Sequence, residues 1–172
     1  MKTKKQKRIE PNKYRYICKK NGVVFLSQGK YSKETYNDKF LHTSCDEFVG
    51  DEDKKNKLAW KLKKYLLNNK KAVGIASNQL GYSIRAFAIR RSDGCINVFV
   101  NPKKIIESGN KSVEIESCLS LKKSYKIERS EKVEFKIKDK KFKFTGYEAR
   151  VVQHELDHIN GTLISDGIHN TY

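Results

Sequence analysis

The chain has four cysteines, Cys18, Cys45, Cys95 and Cys118, but no C-x-x-C pair, so no zinc ribbon is implied. Its N-terminus is charged and lacks the apolar h-region of a secretory signal. No apolar run approaches the roughly 20 residues of a membrane-spanning helix. These absences lead to the expectation of a cytoplasmic protein with reduced thiols and no membrane partner. Internal repeats are missing too, and nothing marks a second domain. Acid is scarce: 20 Asp and Glu face 37 Lys and Arg, for a net charge of +17. Such a field attracts polyanions, whether nucleic acid, ribosome surface or anionic lipid. Nearly all the basic residues are lysines, however, and solvation alone accounts for lysines of this kind.

What is present fits one compact domain. A chain of 172 residues, 37% hydrophobic, buries roughly two-thirds of its surface on folding. Residues 1–30 read as a basic N-terminal extension, partly disordered, and 31–172 as a single catalytic domain. Within the extension, Asn21-Gly22 signals a hairpin of Tyr14–Cys18 with Val23–Leu26. Leu58, Leu62, Tyr65 and Leu66 recur at helical spacing and predict a helix over 51–69, with Gly74 as its stop or in the loop beyond. Strands are expected at Ile84–Ile89, Ile96–Val100, Ser112–Ser117, Val133–Lys138 and Lys141–Phe144, the last two forming a hairpin around Asp139-Lys140. Thr145 and Glu148 then form a capping-box pattern, which predicts a helix running to about Asn160, stopped by Gly161.

That last helix carries "VVQHELDH", residues 151–158. Positions i and i+4 of a helix share a face, so His154 and His158 can point at one metal ion. Glu155 lies about 100° round the helix, where it can reach a ligand of the metal without binding the metal. A catalytic site needs a third protein ligand and an open position. Downstream, Asp157, Asp166 and His169 are available, though in no recognisable motif. Upstream, Cys118 sits in "EIESCLSL" at the end of an expected strand, and a thiolate suits zinc or ferrous iron.

Three stretches together resemble the peptide deformylase family. Gln153 through His158 reproduces its Gln-His-Glu-x-Asp-His motif, with Gly161 at the family's following glycine. Glu116-Ser117-Cys118-Leu119-Ser120 matches Glu-Gly-Cys-Leu-Ser, with Ser117 for Gly. The segment 72–79, "AVGIASNQ", matches the first motif apart from Ala72 for Gly and Ser77 for Ala. The resemblance covers roughly 38–166 and implies an α+β fold, with antiparallel β-sheets wrapped around a central helix that carries the HExxH motif.

It also implies a site. Cys118, His154 and His158 would be the metal ligands, with one water completing the set. The ion would be Fe2+ natively, with Zn2+, Ni2+ or Co2+ able to replace it. The implied reaction removes the formyl group from N-formylmethionine of a nascent peptide and releases formate. Glu155 would be the acid–base residue, and Gln79 and the Leu119 backbone N–H would be donors to the oxyanion. Gly74 would let the substrate backbone approach. Tyr147 and Val151, with Val73 opposite, are expected to wall a methionine pocket. Glu116 is expected to orient the Cys118 loop or a hydrogen-bonded neighbour. Arg129 resembles a family arginine out of register by about one position and receives no role.

Two other readings stand beside this one: a zinc endopeptidase using HExxH with a downstream ligand, and a non-catalytic basic ribosome- or nucleic-acid-binding module with a structural metal. The chain is expected to be a monomer. With eleven residues after Gly161, the expectation is a short form without the C-terminal helix that many bacterial members carry, similar to forms in phages and organelles, with host cytoplasm or an organelle as candidate locations. The basic tail (Lys2, Lys4, Lys5, Lys7, Arg8) and the expected first helix (Lys54, Lys55, Lys57, Lys61, Lys63, Lys64) lead to an expectation of weak, salt-sensitive ribosome association.

Overall fold

The computed structural model describes residues 38–167, together with Ile17–Cys18 and Val23–Val24. Ile17–Cys18 (β1) and Val23–Val24 (β2) pair antiparallel, Ile17 with Val24 and Cys18 with Val23, as expected for a hairpin about Asn21-Gly22. The rest of that hairpin, the 30/31 boundary, the tail and His169 lie outside the described residues.

A short helix α1 (Asp38–Leu41) leads to α2 (Glu52–Asn68). The Asp51 side chain accepts the Lys54 N–H and so caps the helix's first turn. Leu58, Leu62 and Leu66 form the buried stripe that the sequence spacing predicts. That stripe packs on a three-stranded antiparallel sheet of β3 (Gly74–Ala76), β4 (Ala86–Arg90) and β5 (Ile96–Val100), in the order β3-β4-β5.

The second sheet has the order β6-β7-β8, from β6 (Lys103–Ser117), β7 (Ser124–Ile137) and β8 (Lys140–Thr145). Helix α3 (Gly146–Ile159) packs against strands of both sheets. Both its faces are therefore covered, and ten of its residues are buried. Phe87 and Phe99 from the first sheet meet Phe135, Phe142 and Phe144 from the second, with ring centroids 5.2–5.9 Å apart. Such pairs stabilise by about 0.5–1.5 kcal/mol each beyond the area they bury. The architecture is α+β, with antiparallel sheets about a central helix.

Several local expectations change. Gly74 opens strand β3 instead of stopping α2. Ile84 stays outside β4 and forms an isolated parallel bridge with Asp46. Strands β6 and β7 run much longer than alternation predicted; in β6, register shifts between Lys103 and Ile106 and between Ser108 and Lys111 each insert an extra residue and scramble the period of two. The β7–β8 turn is Lys138-Asp139, one residue earlier than expected, since Ile137 already pairs with Lys140. The capping box does not form: Thr145 is still a ladder residue opposite Lys132, Gly146 turns left-handed at φ 56°, and the Thr145 side chain caps nothing. Glu148 instead accepts hydrogen bonds from the Ser92 N–H (3.0 Å) and hydroxyl (2.9 Å). Gly161 ends α3 as expected, at φ 78°, and a Cβ there would lie 2.8 Å from the Ser44 backbone nitrogen. Among the described residues, no helix is long and apolar enough to cross a membrane.

Candidate active site

Helix α3 presents His154 and His158 one turn apart, their ring centroids separated by 5.1 Å. The end of β6 brings Cys118 to the same place. Ligand atoms of Cys118, His154 and His158 all lie within 4.8 Å of one another, and His158 Nε2 is 3.1 Å from Cys118 Sγ. His154 Nδ1 bonds to Glu116 Oε2 at 3.0 Å, which leaves Nε2 for the site. A ring nitrogen tied to a carboxylate is the usual outer support of a metal-binding histidine.

The electrostatics favour a cation at this point. Burial alone would push the Cys118 thiol up, but the adjacent His158 and His154 outweigh it and hold it well below its ordinary value. Burial likewise opposes charge on His154, and hydrogen bonds to Cys118 and Glu116 raise it well above the usual imidazole value. A thiolate and two imidazoles converging on one buried point are a fitting donor set for a divalent transition metal. No fourth His, Cys, Asp or Glu joins the cluster among the described residues. The downstream candidates are engaged elsewhere: Asp157 pairs with Arg129, and Asp166 with His42 at 2.9 Å.

Glu155 lies beside this cluster and is buried. Its Oε2 has no hydrogen-bond partner among the described residues, and burial pushes its carboxyl up to about 7. Its other oxygen occupies the space that Gly74 leaves free: a Cβ on Gly74 would fall 2.2 Å from Glu155 Oε1. Gln79 lies in the 3₁₀ turn Ser77–Leu80, immediately after β3. Its Oε1 accepts the Ala76 N–H at 2.9 Å, which fixes the amide's orientation. Its Nε2 donates to Ser120 Oγ at 3.1 Å and lies 3.8 Å from Cys118 Sγ. Among the described residues no protein acceptor takes the Leu119 N–H, whereas the Ser120 N–H donates to Cys118 Sγ at 3.3 Å and the Leu121 N–H to Cys118 O at 3.1 Å.

The expected pocket residues are placed less uniformly. Val151 is buried in the phenylalanine core. Tyr147 is 62% exposed and Val73 37% exposed, so both are surface residues. Glu116 does more than expected. Burial would raise its carboxyl, yet hydrogen bonds from His154 and Arg129 hold it at about 2. Arg129 grips it through Nε and Nη2, both at 3.0 Å, and also pairs with Asp157. Arg150 adds a third bond at 2.8 Å. The sequence reading assigned no role to Arg129 and missed Arg150. One signal was there: only seven of the 37 basic residues are arginine, and a planar five-donor fork serves buried carboxylates better than lysine.

The motif departures are accommodated. The Ser77 hydroxyl donates to the Ile84 carbonyl. The Ser117 and Ser124 hydroxyls bond each other at 2.7 Å, across the rung that closes the Cys118 loop.

The family model for polypeptide deformylase matches residues 34–172. The chain belongs to this family. A peptide deformylase of Pseudothermotoga lettingae is 38% identical over 100 residues, or 55% of this chain and 57% of that one. One from Dictyoglomus thermophilum is 40% identical over 100 residues, 55% of this chain and 64% of that one. The aligned region thus spans less than two-thirds of these curated relatives. Solved structures extend the likeness. Peptide deformylase from Thermotoga maritima has a TM-score of 0.67 at 30% identity, covering 78% of this chain and 95% of that chain. A probable peptide deformylase from the Synechococcus phage S-SSM7 has a TM-score of 0.64 at 29% identity, covering 76% and 94%.

Proposed function

We propose that this chain hydrolyses the N-formyl group of N-formylmethionyl peptides, yielding formate and a free amino terminus. The supporting observation is a buried carboxylate with an unpartnered oxygen, Glu155, beside a converged Cys118, His154 and His158. Those three residues hold one divalent ion, Fe2+ natively, with Zn2+, Ni2+ or Co2+ able to take its place. When bound, that ion supplies Lewis-acid polarisation and activates water near neutral pH.

The remaining chemistry belongs to the protein. Glu155 takes a proton from the attacking water and delivers it to the amine nitrogen as the formyl C–N bond breaks. Acid–base help of this kind contributes about 10²–10⁴-fold. As the carbonyl oxygen gains charge, Gln79 Nε2 and the Leu119 N–H donate to it. The Ala76 N–H holds the Gln79 amide in the orientation this requires, so little reorganisation remains at the moment of reaction. Gly74 leaves space for Glu155. Among the described residues, a three-residue donor set with an upstream cysteine argues against both the downstream-ligand endopeptidase and a four-ligand structural site.

Formate release from formyl-Met-Ala-Ser by anaerobically purified, metal-loaded protein tests the proposal, with casein as the counter-substrate. Glu155→Gln should retain the metal and lose at least about 10² in turnover. Casein cleavage without formate release would replace this reading with the protease one.

A further inference from the structure

Arg150 lies one turn before His154 on α3 and is almost wholly buried. Its guanidinium is fully committed. Nη1 donates to Glu116 Oε1 at 2.8 Å and to the Ile127 carbonyl at 3.1 Å. Nη2 donates to the Ser112 carbonyl at 2.8 Å and hydroxyl at 2.9 Å, and Nε lies 3.4 Å from the Glu114 carboxylate. No donor is left for a substrate. The side chain joins α3 to β6 through Ser112 and to β7 through Ile127.

Burying a guanidinium is costly, and an apolar side chain of similar volume often stabilises as well or better. Packing alone therefore does not account for arginine here. Glu116 offers the reason. Its Oε1 accepts from Arg129 Nε and Arg150 Nη1, and its Oε2 from Arg129 Nη2 and His154 Nδ1. Arg129 comes from β7 and also holds Asp157, so it can carry Glu116 with any small shift of that strand. Arg150 ties the same carboxylate to the helix that bears the histidine, and to backbone carbonyls on both flanking strands.

We propose that Arg150 is a positioning residue. It pins the Glu116 carboxylate against β6, β7 and α3, and Glu116 in turn holds the His154 ring with Nδ1 protonated and Nε2 facing the site. The inference rests on the metal reading above.

Cobalt(II) is the probe. Three quantities are measured: Co2+ affinity by chelator competition, the visible bands of the Co2+ protein, and melting of the metal-free protein. Arg150→Met should weaken Co2+ binding on the order of 10-fold, as loss of outer support to a ligand does, and should shift the visible bands. Glu116→Gln should weaken it as well, and the double variant should be no weaker than Glu116→Gln alone, because both act through one carboxylate. Wild-type affinity and bands in Arg150→Met, whatever its melting temperature, would overturn the proposal. So would additive losses in the double variant. If Arg150→Met yields no folded protein, Arg150→Lys decides. Weakened Co2+ binding at unchanged melting supports the proposal, and wild-type binding overturns it. A wild-type protein that holds no Co2+ would overturn the metal reading itself, and this inference with it.

Discussion

Gly74→Ala tests the site with one methyl group. The added Cβ would lie 2.2 Å from Glu155 Oε1, 2.8 Å from Cδ and 3.0 Å from Cγ. Restoring ordinary contact requires the carboxylate to retreat by about 1 Å, since non-bonded separations below roughly 3.2 Å are repulsive. Glu155 is buried on a helix packed by both sheets, so the retreat must be a rotation away from the reacting water. A displacement of about 1 Å in a catalytic group costs on the order of 10²-fold in rate, or about 2.7 kcal/mol of barrier. The backbone at Gly74 itself has no positive φ, so alanine adds no conformational strain there. Turnover on formyl-Met-Ala-Ser should therefore fall about 10²-fold, with metal content unchanged by elemental analysis and the circular dichroism spectrum intact. Near-normal turnover would refute the claim that Gly74 makes room for Glu155 as the proton carrier. Loss of the metal would place Glu155 among its ligands instead.

Other outcomes follow from the same structure. The Glu148 carboxyl is held below its usual value, first by the Ser92 backbone N–H, so it contributes stability above about pH 4.5 that is lost as the pH falls through its lower folded value. The melting-temperature gap between wild type and Glu148→Gln should accordingly narrow from pH 7 to pH 3.5; a constant gap would remove Glu148 from the acid sensitivity. Stringent chelation should abolish formate release and stoichiometric Co2+ should restore it, whereas full activity after chelation would dismiss the metal. Co-sedimentation with ribosomes should fall steeply with salt, by a log–log slope of roughly −0.7 per single-stranded phosphate contact. Pelleting indifferent to salt would return the lysines to simple solvation. In α2, Lys54, Lys55 and Lys57 already pair with Asp51, Glu52 and Asp53, so Lys63 and Lys64 are the helix positions to substitute first.

The sequence disclosed most where local rules coincide with tertiary demands. Helix α2 reads correctly because its leucines recur at helical spacing, and the structure adds an Asp51 cap and an acidic first turn that suit the same element. The i, i+4 histidines of α3 read correctly because a helix brings them together whatever surrounds it. Strand β6 was curtailed because two register shifts break alternation and most of the strand is exposed, so no hydrophobic period marks its first half. The capping box failed for a tertiary reason: β8 runs directly into α3, so Thr145 remains in the ladder and Glu148 is free to bind the β4–β5 turn. The arginine network was hidden because it joins residues 112 to 157 across three elements, and no local pattern encodes such a partnership.

That network bears on how a strongly cationic chain can keep a cation-binding centre. The overall field of +17 repels a divalent ion, and exposed lysines do not reverse that locally. At the centre, however, buried anionic groups are present: the Cys118 thiol is held well below its usual value and the Glu116 carboxyl at about 2, while burial pushes the Glu155 carboxyl up to about 7. Arg129 and Arg150 share Glu116 Oε1, and Oε2 takes one bond from Arg129 and one from His154. The thiol and two imidazoles converge there, and the sulfur also accepts the Ser120 N–H at 3.3 Å. Each sheet contributes what the other cannot. The first supplies Gly74 and Gln79 from β3 and the turn after it, and the second supplies Glu116 and Cys118 from the end of β6. The helix between them carries both histidines and Glu155 within five residues. Small shifts between the sheets would therefore part Cys118 and Glu116 from Gln79 and from the helix residues between them, and the bonds tying α3 to both sheets, from Asn78 to the His158 carbonyl and from Gln153 to Ser130, resist such shifts.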